Sequence, residues 1–198
     1  MPPPDVTAPP KKRARDMLLQ AAARLFYAQG VGATGIDAIT AEAGVAKKSL
    51  YNNFSSKSDL VAAYLEARHE EWLGLYRVRL DNAKDSRERV LAVFDAYVDH
   101  ANFAYEQGFR GCGLLNAAAE LPGGSPGRSA VRRHKEEVEA LLAGQLGELL
   151  PGQEERSARL AGHLAFVLEG AMVRAGLEGG DSRLLEGRMI ARQMLEEL

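Results

Sequence analysis

The chain has few of the residues that build redox, metal or membrane sites. Only one of its 198 residues is cysteine, so no internal disulfide can form. The four histidines, His69, His100, His134 and His163, are scattered and no pair stands at ligand spacing, so no metal is expected. No apolar run reaches about 18 residues, so no membrane span is expected. The glycines at 111, 113, 123 and 124 fit no phosphate loop. Neither a nucleophile–base set nor a cofactor fingerprint is present, so no catalytic residue, no cofactor and no enzyme activity are expected. The opening MPPPDVTAPPKKRAR has no apolar core and does not read as a secretory signal. With the lone cysteine, this suits a reducing cytoplasm. Aromatics are only 7% of the chain while Ala, Leu and Gly are frequent, a composition that favours an all-α fold.

What is present is polarised. The net charge is −2, yet residues 1–60 carry eight Lys or Arg against five Asp or Glu. The remaining residues carry seventeen against twenty-two. A basic end can meet phosphates, and an acidic remainder would be repelled by them. Residues 1–12 form a Pro-rich arm expected to be disordered or extended. Lys11, Lys12, Arg13 and Arg15 could carry it along a phosphate backbone or into a minor groove.

Residues 34–57, TGIDAITAEAGVAKKSLYNNFSSK, have the outline of a helix-turn-helix. Thr34 and Asp37 form a capping pair, and Ile36, Ile39 and Ala43 make one apolar stripe. Gly44 supplies the left-handed turn. The next helix sets Leu50 and Phe54 on its inner face. Its outer face presents Lys47, Lys48, Ser49, Tyr51, Asn52 and Asn53, groups that reach phosphates and base edges. Ser56 and Asp59 cap the helix that follows. A solvated bundle corner would share this polar face, so the spacing alone leaves both readings open.

Residues 13–60 resemble the N-terminal domain of the TetR (tetracycline-repressor) family of transcriptional regulators. The resemblance rests on ARDMLLQAAARLFYAQGVGATGIDAI and AGVAKKSLYNNFSSKSDL. It implies a DNA-binding regulator, most simply a repressor. It marks Thr34, Lys47, Ser49, Tyr51 and Lys57 as phosphate-positioning residues. The chain departs from the family pattern at Ala46, where a capping Ser is common, and at Lys48, Asn52 and Asn53. These last three are where operator preference is expected: Asn can pair with adenine, and Lys with guanine. The alternative is a helical small-molecule binder without specific DNA binding.

The whole chain then reads as about nine helices: a three-helix helix-turn-helix domain at 13–56, and a helical ligand-binding and dimerisation domain at 57–198. The fourth helix, near 57–81, belongs to both and would link sensing to reading. A fifth helix is expected to open at Asp85 or Ser86 and end near Gly108, and a seventh to span about 127–150. A small-molecule effector is expected in the second domain. Its candidate walls are Trp72, Tyr76, Phe94, Tyr97, Leu115, Asn116 and Phe166, though for any one of them ordinary core packing is the better reading. Cys112 opens a short helix, where a thiol is more acidic, but no second cysteine stands ready to resolve an oxidised form.

The last two helices, 154–178 and 182–198, carry more apolar surface than one core needs. On the first, positions 158, 161, 165, 168 and 172 make one face and 160, 164, 167 and 171 another. The second adds Leu185, Met189, Ile190, Met194 and Leu198. They are expected to meet their copies across a twofold axis as a four-helix bundle. Such a homodimer would place two reading heads about 34 Å apart on a near-palindromic DNA operator.

Overall fold

A computed structural model of the chain describes residues 14–103, 105 and 108–198. The Pro-rich arm, with Lys11, Lys12 and Arg13, lies outside the described residues. Among these, nine helices and no strand are found: α1 (Ala14–Gln29), α2 (Ile36–Ala43), α3 (Lys47–Asn53), α4 (Lys57–Asp81), α5 (Ser86–Ala101), α6 (Gly113–Glu120), α7 (Pro126–Leu149), α8 (Glu154–Glu178) and α9 (Ser182–Glu196). They form two compact units, Met1–Tyr64 and Leu65–Leu198. The division falls two turns into α4 because Leu60, Val61 and Tyr64 are buried with the first unit, where the Tyr64 ring meets Phe26 edge-on at 5.4 Å.

In the first unit α1, α2 and α3 pack on one another around Leu18, Ala21, Ala22, Phe26, Ile39 and Leu50. On α1 these positions fall three and four apart, the period of a single buried stripe. Gly44 stands at φ 64, and the amides of Gly44 and Val45 donate back to Ala41 and Thr40. A side chain other than Gly would be strained there, so the sharp corner between α2 and α3 is written in one residue. Ser56 caps α4, its hydroxyl accepting from Asp59 N at 3.1 Å, while Asp59 Oδ2 accepts from Ser55 N at 2.8 Å.

One cap is not as the sequence suggests. Gly35, not Thr34, stands at the N-cap of α2, and it offers no side chain. The Thr34 hydroxyl is turned inward and donates to the Gly30 carbonyl at 2.6 Å.

In the second unit α7 packs against α5 and α8, and α9 against α5 and α8. Asp85 caps α5, accepting from Glu88 N at 2.8 Å. Ser125 caps α7, with Pro126 in the first turn, where its missing N–H costs nothing. Helix α5 stops at Ala101, not near Gly108. Asn102 ends it, its side-chain amide donating to Val98 O at 3.0 Å and Asp181 Oδ2 at 2.9 Å.

Helix α8 is the one described helix long and apolar enough, by length and composition, to cross a membrane. Its apolar residues divide between two faces, but not along the lines drawn from the sequence. Ser157, Ala161, Leu164, Leu168, Met172 and Ala175 are buried, combining members of both expected stripes. Phe166, Val173 and Leu177 form a separate exposed stripe. Helix α9 repeats the division, with Leu184, Gly187, Ala191 and Leu195 inward and Leu185, Met189 and Ile190 outward. A Cβ on Gly187 would stand 2.8 Å from Ala171 Cβ, so the two helices touch at their smallest residues.

Candidate nucleic-acid interface and sensor cavity

Helix α3 is two turns long and would not hold its shape alone in water. It is anchored by Leu50, 0% exposed, and Phe54, 2% exposed. Arg15 of α1 lies over the Phe54 ring, 5.2 Å from its centre. With those two side chains pinned, every other position must face outward. Lys47, Lys48, Tyr51, Asn52 and Asn53 are exposed, and Ser49 and Lys57 are half-buried. Tyr51 is an exposed aromatic beside two amides, an arrangement with no packing role.

Two of these side chains have local partners. Lys47 Nζ stands 2.7 Å from Asp37, joining the starts of α3 and α2. The hydrogen bond from Lys47 and the Asp37 charge raise the lysine's pKa, so its charge is secure. Asn53 Nδ2 donates to Ser49 O at 2.7 Å, which turns its carbonyl oxygen outward. Thr34 does not belong with this surface. It is 0% exposed and its hydroxyl is bound to main-chain carbonyls, so it shapes the loop after α1 rather than offering a donor.

The seven candidate effector residues scatter. Trp72 and Tyr97 are brought together, 5.2 Å between ring centres, on the wall of a small buried cavity with Arg68, His100, Leu114 and His134. Tyr76 stacks flat on Trp72, and Phe94 is buried in the core. Leu115 and Asn116 line a different hollow, with Arg110, Met172 and Val173. Phe166 is 78% exposed on the outer stripe of α8 and walls no internal cavity. The face it takes depends on where α7 and α9 lie.

Nothing in the residue spacing pointed to the polar cluster beside the cavity. His134 Nδ1 meets His69 Nδ1 at 2.7 Å, and Lys135 Nζ meets Glu169 at 2.7 Å and Tyr97 Oη at 3.3 Å. Burial holds the Tyr97 phenol far above its usual range, more than Lys135 offsets it. Burial, then the charges of Lys135, His69 and His100, push His134 down to about 3, so its imidazole is neutral at pH 7. Cys112 Sγ lies 3.7 Å from Lys135 Nζ on the same cluster and is buried. These residues lie on α4, α5, α7 and α8 and at the start of α6, far apart in the chain.

Comparison with known proteins agrees with this geometry. The family model for bacterial regulatory proteins, tetR family, matches residues 18–64. The transcriptional activator FasR of Mycolicibacterium smegmatis is 36% identical over 101 residues, covering 51% of this chain and 46% of FasR. The transcriptional repressor KstR2 of the same organism is 37% identical over 93 residues, covering 47% of this chain and 45% of KstR2. The matched stretch thus spans about half the length of these curated relatives. The fold likeness runs further. A TetR-family transcriptional regulator from Streptomyces coelicolor superposes with a TM-score of 0.81 at 30% identity, over 92% of this chain and 96% of that one. A reading helix pinned by two buried residues, a helical second unit and this near full-length likeness agree: the chain is a DNA-binding transcriptional regulator of the TetR family, not an enzyme.

Proposed function

We propose that this regulator is a homodimeric, ligand-responsive repressor that a small molecule releases from a near-palindromic operator. The observation that carries the reading is the division of labour on α3. Leu50 and Phe54 take up its buried side, leaving donors and amides as the whole outer face. Lys48, Asn52 and Asn53 read base edges, and Lys47, Ser49, Tyr51 and Lys57 set the register on phosphates.

The exposed stripes of α8 and α9 support the dimer. Phe166, Val173, Leu177, Leu185, Met189 and Ile190 are large apolar side chains left in water by one chain alone. A twofold four-helix bundle removes them from it. A ligand in the second unit acts by preferring one spacing of the two reading heads. A dimer seated on a promoter excludes other proteins by occupancy alone, so repression needs the fewest additional contacts. The relatives include proteins named as activator and as repressor, so the sign also depends on operator placement. The proposed compartment is the cytoplasm, where the DNA is.

Fluorescence anisotropy tests the reading. DNA from upstream of the chain's own coding sequence is compared with scrambled DNA at two salt concentrations. Tight, sequence-preferring binding by two chains per site, weakened steeply by salt, is expected. Equal binding to both DNAs would remove the operator claim for that region. A single chain per site would remove the dimer.

A further inference from the structure

The reading helix meets an anion of its own chain before it meets DNA. Lys47 opens α3, Asp37 stands in the first turn of α2, and Lys47 Nζ lies 2.7 Å from Asp37 Oδ1. Two other acids of this unit are engaged away from α3. Glu42 accepts from Arg24 Nε at 3.0 Å, and Asp59 accepts from the Ser55 amide at 2.8 Å. The frame under the Asp37–Lys47 pair is fixed, because Gly44 holds the α2–α3 corner while Leu50 and Phe54 pin α3.

This pair adds little to folding. The Lys47 side chain is more than half exposed and that of Asp37 is 81% exposed. Ion pairs in water at this level of exposure contribute little to stability. For DNA binding the same acid is a cost, since a carboxylate on a surface that meets phosphates opposes them. The effect of Asp37 therefore lies in which DNA is bound and in what register. An ammonium has three donors, and Asp37 takes one, leaving two for a phosphate. A free lysine side chain gives up many rotamers on meeting a phosphate, whereas Lys47 is held at one place beforehand. A phosphate arriving at that place gains charge-assisted hydrogen bonds at a lower entropic cost. A phosphate placed nearer α2 meets the carboxylate instead and is repelled.

We infer that Asp37 is a positioning residue that acts through Lys47: it orders the ammonium for one backbone phosphate and repels DNA seated in another register. Attraction and repulsion side by side discriminate between partners better than attraction alone. Specificity is gained here mainly by weakening the wrong complexes. The inference rests on the reading of α3 given above, in which Lys47 meets a phosphate of the operator.

An operator duplex is first selected from random-sequence DNA with the full-length protein. Anisotropy then compares it with scrambled DNA over a salt series. Asp37→Asn should bind scrambled DNA more tightly than wild type, with a salt slope steeper by about one. Its preference for the operator should fall by about fivefold or more. Asp37→Glu, which keeps the charge, should keep the wild-type slope. In a Lys47→Met background no ammonium is left to order, so adding Asp37→Asn should tighten both DNAs alike and leave the preference unchanged. Circular dichroism and thermal unfolding should be close to wild type in each variant. Unchanged preference in a folded Asp37→Asn, beside a wild type that prefers the operator, overturns the inference and leaves the reading of α3 standing. An equal loss of preference in the Lys47→Met background also overturns it, because Asp37 then does not act through Lys47. If selection recovers no preferred duplex, the operator reading fails and the inference falls with it.

Discussion

His134 Nδ1 stands 2.7 Å from His69 Nδ1, a separation that requires one shared proton: one imidazole donates and the other accepts. His134 is depressed to about 3, by burial first and then by the charges of Lys135, His69 and His100.

The depressed pKa fixes a sign. Between the ordinary histidine value near 6.5 and about 3, the unfolded chain binds a proton that folded His134 refuses. The stability this group contributes is complete above about 6.5 and is lost as pH falls towards about 3. Urea unfolding followed by Trp72 emission should lose up to about 1.4 kcal/mol per pH unit through that window. His134→Gln should flatten the slope by that one-proton share. An equal slope in wild type and variant would sink the assignment.

Thr34→Val separates a structural role from a DNA contact. The hydroxyl is buried and donates to Gly30 O at 2.6 Å. Its removal should cost about 1–3 kcal/mol of stability by leaving a buried carbonyl without its partner. At temperatures where the variant is folded, the salt dependence of DNA binding should be unchanged. A slope shallower by about one would instead assign a phosphate contact to Thr34.

Asn52→Ala and Lys57→Ala should fail in different ways. Losing an adenine-reading amide should cost about 1–3 kcal/mol on the preferred operator and relax preference at one base position. Losing a phosphate contact should weaken all DNAs alike and reduce the salt slope by about one. Binding to a panel of single-base operator variants distinguishes the two patterns.

Phe166→Glu with Leu177→Glu should dissociate the proposed dimer without unfolding the chain. Both side chains are about four-fifths exposed in the single chain, at 78% and 83%, so nothing internal depends on them. Sedimentation should show monomers, and operator affinity should fall with the loss of the second reading head. A variant that still sediments as a dimer would place the interface elsewhere.

Gly176→Ala probes the segment that carries Cys112. A Cβ at Gly176 would lie 2.6 Å from the main chain of Gly111, which cannot move aside as a flexible side chain would. Overpacking of this kind costs about 1–3 kcal/mol. Thermal unfolding should record that loss, and a neutral effect would show that the 110–112 segment is free to shift.

Much of the first unit was legible because its signals are local. Gly44 needs a left-handed backbone, the Ser56 hydroxyl accepts from the amide of Asp59 three residues on, and Leu50 with Phe54 share one face of a two-turn helix. Each signal depends only on spacing between neighbours in the chain. Thr34 was misread for the same reason: its spacing to Asp37 fits a capping pair, but its hydroxyl found carbonyls at Gly30 and Leu25 instead.

The second unit was legible as helices but not as a site. Periodicity identified α8 and α9 and their surplus apolar surface; it could not say that Leu164 and Leu168 go inward and Phe166 outward, because that depends on where α7 and α9 pack. Trp72, Tyr97 and His134 were separate residues in the sequence and became one cavity wall only when α4, α5 and α7 met. The sequence by itself determined the helices, most of their ends and the polar face of α3, since these follow from hydrogen bonds and side-chain spacing within a few turns; the end of α5 at Ala101 and the Gly35 cap of α2 were not among them. Only the tertiary structure decided which apolar residues lie in the core, which imidazole shares a proton with which, and which acid meets Lys47. Those outcomes depend on contacts between residues tens of positions apart, and nothing in local spacing encodes them.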